Sequence, residues 1–285
     1  LSIGTKLEYN SVTGTELQPS ARLLWKPASS TSVWAGFSRA NRIPARFEES
    51  LALNLTLPPG AGVNQGSALP MQLRIIPDSP LRSVKLDAFE AGLRTRLWRD
   101  WSLDAAVYLN RYKSVLSYDL QSAGFVPFPT PAIAADFRFG NRATARSEGA
   151  EVTISGSILR NWRLRGTYSF LSLRTAAEPP GTSISTVEAG LSPRHQFSLR
   201  SEWDVSDALE ADVWLRHVSA LPTGAVPAYT DLDLRIAYRI SPAVEATLLG
   251  NNLLRSRRLE FFQPDYPSVI NFVPRSIAIG LMARF

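Results

Sequence analysis

The last ten residues, Ser276-Ile-Ala-Ile-Gly-Leu-Met-Ala-Arg-Phe285, alternate with a period of two. Ile277, Ile279, Leu281, Ala283 and Phe285 fall on one face, and Ser276, Ala278, Gly280, Met282 and Arg284 on the other. Only an extended strand separates neighbouring side chains in this way, because a helix returns to one face every third or fourth residue. Working backward, the same alternation sets Trp101, Leu103, Ala105, Val107 and Leu109 against Asp104, Ala106, Tyr108 and Asn110. It sets Leu232, Leu234, Ile236 and Tyr238 against Asp231, Asp233 and Arg235. No sustained helical stripe interrupts the pattern.

About twelve such strands can be traced, near residues 1–10, 18–26, 31–40, 83–97, 101–118, 143–157, 161–174, 193–205, 207–219, 227–240, 243–253 and 273–285. Many run well beyond the roughly 5–6 residues usual in soluble sheets and suit a tilted strand crossing a bilayer. Five connections are short: Pro27–Ser30, Trp98–Asp100, Leu159–Arg160, Ser206 and Ser241–Pro242. Between them fall longer ones: Ser11–Leu17, Asn41–Arg82, Asp119–Arg142, Thr175–Ser192, Ala220–Val226 and Leu254–Phe272. Alternating short and long connections are the pattern of an outer-membrane barrel, with tight periplasmic turns and long extracellular loops. Trp25, Trp98, Trp101, Trp162 and Trp203 lie close to the short turns, which predicts an aromatic girdle at the inner interface.

Composition removes other classes. With 45% hydrophobic and 10% aromatic residues the chain can bury a core. No cysteine is present, so disulfides, thiolate metal sites and thiol nucleophiles are excluded. The longest uncharged stretch, Leu120–Ala135, carries Pro127, Pro129 and Pro131 and reads as a loop rather than a membrane helix. The formal charge of +6 suits a surface facing anionic lipid better than nucleic acid. His195 and His217 are the only histidines, with no nucleophile elbow and no carboxylate placed to orient either ring. No catalytic residue, metal site or cofactor is expected, and no phosphate-binding glycine loop is visible.

Four stretches together resemble the TonB-dependent outer-membrane receptors. They are Ser32-Val-Trp-Ala-Gly-Phe-Ser-Arg-Ala-Asn-Arg-Ile-Pro-Ala-Arg46, Leu86-Asp-Ala-Phe-Glu-Ala-Gly-Leu-Arg94, Asn251-Asn-Leu-Leu254 and the closing strand Pro274–Phe285. The resemblance implies an all-β antiparallel transmembrane barrel of about 22 strands filled by an N-terminal plug, of which about 12 are present here. It implies that residues 1–285 are the C-terminal part of that barrel, with the plug domain and first barrel strands absent, which would explain a start inside a strand. It further implies active uptake of a scarce nutrient, often an iron–siderophore complex, across the bacterial outer membrane. The implied partners are outer-membrane lipid and lipopolysaccharide, the TonB complex through the missing plug, and the outer-membrane assembly machinery.

Within that frame, Arg255, Arg257 and Arg258 precede Phe261, Phe262 and Tyr266 in the last long connection. Guanidinium groups there could hold an anionic chelate while the aromatics cover its apolar parts. Arg42, Arg46 and Arg74 are the corresponding candidates in the longest connection, whose length suggests ligand capture or gating. The alternative for each arginine is pairing with lipopolysaccharide phosphates or loop carboxylates. Glu90, Asp104, Arg200, Glu202, Asp212, Asp231 and Arg235 interleave both signs on the polar face, which reads as cross-strand pairing along a wet lumen. Phe285, with Leu281, Ile279 and Ile277 before it, resembles the terminal signal read by the assembly machinery. A rival reading is a complete 12-stranded barrel acting as a passive channel or membrane enzyme, and a weaker one is a soluble β-rich binding module.

Overall fold

A computed structural model describes residues 1–50, 52–60, 66–76, 80–127, 129–186, 189–262 and 270–284. Its strands are β1 (Ser2–Asn10), β2 (Gly14–Ala28), β3 (Thr31–Arg42), β4 (Leu53–Leu57), β5 (Met71–Ile76), β6 (Val84–Trp98), β7 (Trp101–Val126), β8 (Ala132–Leu159) and β9 (Trp162–Ala177). They continue with β10 (Ser183–Ser185), β11 (His195–Ser206), β12 (Leu209–Val218), β13 (Tyr229–Ser241), β14 (Val244–Asn251), β15 (Arg257–Leu259), β16 (Phe272–Pro274) and β17 (Ser276–Ala283). One short helix, α1 (Arg46–Ser50), follows β3.

Twelve strands form an antiparallel meander in the order β1-β2-β3-β6-β7-β8-β9-β11-β12-β13-β14-β17, each at a position expected from the period-two pattern. Their register aligns the apolar residues into rows on one face. Leu93 stands opposite Val33 and Ala105, Ala105 opposite Val152, and Val152 opposite Tyr168. This face is turned to lipid, where Ile277, Ile279 and Leu281 are exposed. In hydrocarbon, unpaired backbone groups each cost several kcal/mol, so complete ladders rather than a central core hold such a sheet together. The order ends at β1 and β17, which do not pair, so the twelve strands are not the self-contained barrel of the rival reading.

The inner rim repeats one device. A register irregularity precedes each of the five short turns, at Trp25/Ala28, Arg96/Trp98, Ser157/Leu159, Asp204/Ser206 and Arg239/Ser241. The last residue of a turn then accepts a hydrogen bond from the next hairpin: Ser30 from Arg96, Asn161 from Asp204, Ala208 from Arg239 and Ala243 from Arg284, at 2.8–2.9 Å. The girdle tryptophans pair here, Trp98 with Trp101 at 6.1 Å and Trp162 with Trp203 at 5.4 Å between ring centroids. The Trp101 and Trp162 indoles donate to the Ser157 carbonyl and the Ser201 hydroxyl. On the opposite face Trp34 lies flat against Gly92, where no Cβ would fit.

The outer connections depart most from the sequence reading. Ser11–Leu17 is not a long loop: the ladder runs to Asn10↔Gly14, and the Asn10 side chain accepts from the Val12 and Thr13 amides inside the turn. Asp119–Arg142 is mostly strand, with β7 and β8 pairing from Asp119↔Arg138 to Val126↔Ala132. Proline breaks a ladder only where it sits. Pro127, Pro129 and Pro131 cluster at the tip, leaving the aromatic and branched residues on either side free to pair. The Asn41–Arg82 segment contains α1 and a β4–β5 hairpin, and β5 adds to β8 in parallel from Met71↔Ile133 to Ile76↔Arg138. Two small clusters seat this outer structure: Leu81, Leu116 and Phe139, and Val115, Ala143 and Ala145.

Candidate functional site

The outer end of the sheet gathers the candidate residues on three supports. The first is a buried polar knot at the base of the last connection. Asn252 adopts a left-handed conformation (φ 55°), which asparagine tolerates better than most residues. It is 1% exposed; its side chain accepts from Arg258 Nη1 at 2.9 Å and donates to the Val273 carbonyl at 2.9 Å. Its own amide donates to Asp233 Oδ1 at 2.9 Å. Arg258 is ion-paired with the fully buried Asp231, donates to Glu260 Oε1 at 2.6 and 3.0 Å, and lies over the Tyr229 ring. Arg216 bridges Asp231 and Asp233 from the neighbouring strand while stacking on Trp214. The Asn251-Asn-Leu-Leu254 motif therefore closes a charged knot that ties β12, β13 and β14 to the β15–β16 hairpin.

The second support is the β4–β5 hairpin. Arg74 meets Asp136 bidentately at 2.5 and 2.8 Å, and the Ser122 hydroxyl donates to the same carboxylate. These hydrogen bonds, Arg74 first, hold the Asp136 carboxyl below the ordinary carboxylate range and raise the Arg74 guanidinium. The third is the start of α1. Arg42 meets Glu48 at 2.9 and 3.2 Å, and Glu48 also accepts from the Ala45 amide at 2.8 Å.

Three of the six candidate arginines, Arg42, Arg74 and Arg258, are thus satisfied by carboxylates of their own surroundings. Arg46 and Arg255 are exposed and carry no ion pair among the described residues, and Arg257 stacks on Phe272 at 4.6 Å. Phe261 is exposed and Phe262 half-buried, whereas Tyr266 lies outside the described residues. Phe47, which sequence reasoning passed over, is exposed beside Arg46 and meets Phe139 edge-on at 6.1 Å. Its signal was present in the aromatic residue directly after Arg46. The knot around Asp231 had none, since its partners come from distant segments. Of the terminal signal, Ile277, Ile279 and Leu281 line the outward face of β17, and Phe285 lies outside the described residues.

The polar inner face is a lattice of cross-strand ion pairs. Arg235 reaches Glu210 at 2.9 Å and Asp212 at 3.0 Å, Arg94 meets Asp104, and Arg163 meets Glu202 at 3.7 Å. The histidines stand on the outward face. His195 bonds the Tyr168 hydroxyl and His217 the Thr230 hydroxyl, each at 2.9 Å, while Ser219 accepts from the His195 amide. No cluster that could hold a metal occurs among the described residues.

A family model described as "TonB dependent receptor-like, beta-barrel" matches residues 1–253. The catecholate siderophore receptor Fiu of Escherichia coli K12 is 22% identical over 145 residues, covering 48% of this chain and 18% of the relative. Among solved structures, the ferric enterobactin receptor PfeA of Pseudomonas aeruginosa aligns with a TM-score of 0.72 at 18% identity, over 99% of this chain and 42% of the receptor. The siderophore receptor PirA of Acinetobacter baumannii aligns with a TM-score of 0.70 at 16% identity, over 99% and 43%. The chain therefore spans less than half the length of the proteins it matches. Family and neighbours are receptors and transporters, not enzymes. The chain belongs to the TonB-dependent receptors and forms part of their outer-membrane β-barrel.

Proposed function

We propose that residues 1–285 are the C-terminal part of the barrel of a longer receptor that imports an anionic iron–siderophore complex, of the catecholate class. On this reading an upstream plug fills the lumen and carries the contact to TonB, the assembly machinery reads the closing strand, and the basic outer surface meets lipopolysaccharide. Arg46, Arg255 and Arg257, with Phe261, Phe262 and Tyr266, contact the ligand, while Arg42, Arg74 and Arg258 hold the loops that present them. The observation that carries this reading is the division among the outer arginines: three are neutralised locally, while Arg46 and Arg255 are exposed with no ion pair among the described residues, Arg46 directly before the exposed Phe47. An unpaired guanidinium suits a negatively charged catecholate chelate, whose planar rings exposed aromatic side chains can cover.

The test is binding of ferric enterobactin and of a neutral ferric hydroxamate to the full-length receptor, followed by intrinsic fluorescence. The double variant Arg46→Ala/Arg255→Ala should weaken catecholate binding by about 10–100-fold, the loss of one or two charge-assisted contacts. Unchanged catecholate affinity in that variant, or tighter binding of the neutral complex by the parent protein, would remove the assignment.

A further inference from the structure

At the outer end of the molecule β7, β8, β5 and β4 form one sheet whose two faces differ in kind. On one face Ser122, Asp136, Arg74 and Asn54 stand opposite one another in a row, with Arg74 and Asp136 ion-paired. On the other, Ala123, Ala135, Leu73 and Leu55 make the adjacent row. The rows on either side of it, from Leu120 to Leu53 and from Phe125 to Leu57, hold apolar residues alone. A sheet that alternates in this way keeps one face in water and covers the other.

Lipid is not the cover. Trp101 at the inner girdle and Leu120 are 19 residues apart on β7, about 63 Å of strand, or roughly 48 Å along the membrane normal at a tilt of about 40°. The apolar band of such barrels is about 25 Å tall, so this sheet stands outside it. The chain covers only the base of the face. There Leu81, Leu116 and Phe139 form a buried cluster against which Ile75 packs, and Phe47 of α1 meets Phe139 edge-on. Toward the tip, Leu55 is 45% and Phe125 62% exposed. An extended apolar surface left open to water marks a place where something binds.

The relief of the face and the charge at its margin indicate what that is. Ala123 and Ala135 are small, and along their strands larger side chains flank them: Leu120 and Phe125 on β7, Phe137 and Ile133 on β8. They leave a furrow across two strands, about 10 Å long, open over the exposed Ala123 and closing over the buried Ala135 toward Leu73. No side chain of these rows can donate or accept a hydrogen bond, so the furrow suits hydrocarbon and not a sugar or an ion. Its margin is cationic. Arg46, exposed and without an ion pair among the described residues, directly precedes the Phe47 that packs on Phe139. Four residues of β8, about 13 Å, separate Phe139 from Ala135.

We propose that the furrow receives a hydrocarbon tail carried by the anionic chelate whose head Arg46 holds, so that the ligand is an amphiphile. The head-group assignment rests on the ligand-capture reading above, whereas the furrow stands on the sheet alone. A guanidinium at one end and a charge-free furrow about 13 Å away match a charged head joined to a medium-length alkyl chain.

The test uses the full-length receptor in lipid nanodiscs and two ferric tris-catecholate chelates, one carrying an octanoyl and one an acetyl amide, with binding followed by intrinsic fluorescence. The parent should bind the octanoyl chelate at least about tenfold more tightly, a modest share of what six buried methylenes can supply. A123D, which sets a carboxylate at the open end of the furrow, should bring that ratio close to one. T56D, on the polar face of the same sheet, should keep it. The same two tails on a neutral ferric trihydroxamate separate the furrow from the head-group assignment: a tail preference there, without binding of either catecholate, would keep the furrow and remove the role of Arg46 in holding an anionic head. Equal affinity for long and short tails on both heads, or no binding of any of the four, would overturn the furrow and leave the face to an outer connection of the upstream strands. A tail preference undiminished in A123D would overturn it too, since the chain would then be resting in the bilayer.

Discussion

At the scale of single residues, Asp231 and Asn252 define how the last outer connection is held. Asp231 faces two guanidinium groups with no access to water, so removing its carboxylate leaves the buried Arg258 with only the exposed Glu260 as counter-charge. An uncompensated buried charge costs about 3–5 kcal/mol, and the remaining Glu260 pair offsets part of that. Asp231→Ala should therefore release the β15–β16 hairpin, seen as faster protease cleavage within residues 254–272. A hydrophobic pair, D231L/R258M, should restore much of the protection; cleavage as slow in D231A as in the parent would show that the knot does not hold the loop. Asp136 makes a pH-dependent counterpart. Its folded pKa is depressed by Arg74, so its contribution is present above the unfolded carboxylate pKa and is lost as pH falls through the lower folded value. Hydrogen exchange of the β4–β5 hairpin should accelerate on acidification below about pH 4, and Asp136→Asn should remove that dependence while leaving the hairpin less protected at neutral pH.

At the scale of elements, the strands were legible because one physical period governs them. Lipid on one side and water on the other force alternation, and a slip of one residue would turn every apolar side chain inward. The closing strand shows the consequence. Ile279 lies opposite Leu248 on the lipid face, and Ile279→Arg should destabilise the folded barrel of the full-length receptor by about 2–4 kcal/mol if it sits near the bilayer midplane. Ala278→Arg, on the inner face, should cost far less. A larger cost for Ala278→Arg than for Ile279→Arg in urea titrations from lipid vesicles would mean that the faces have been assigned the wrong way round, and equal costs that neither faces lipid distinctly. The outer connections were not legible, for an equally physical reason. The paired run Leu120–Val126 has no charged residue to mark its faces and runs straight into a proline cluster, so its strand character depends on the partner segment Ala132–Phe137. Arg258 looked like an open cation in sequence, because its neutralising partner Asp231 lies on another strand.

At the scale of the whole molecule, twelve strands with two unpaired ends describe an arc and not a pore. Both edges would expose backbone polar groups to hydrocarbon unless further strands complete the sheet. On the proposed reading, the inner face, laced with ion pairs, meets a hydrated plug, the outer loops take a soluble ligand and the apolar wall faces lipid. On that reading too, a protein more than twice the length of the chain completes the sheet. The most direct measurement is the intact mass of the native protein in purified outer membranes. The account predicts roughly 75 kDa, the mass implied by 31.4 kDa at 42% of a receptor's length, with this chain at its C-terminal end. A native species of 31.4 kDa would contradict it and leave the plug, the TonB contact and energised uptake without a protein to carry them.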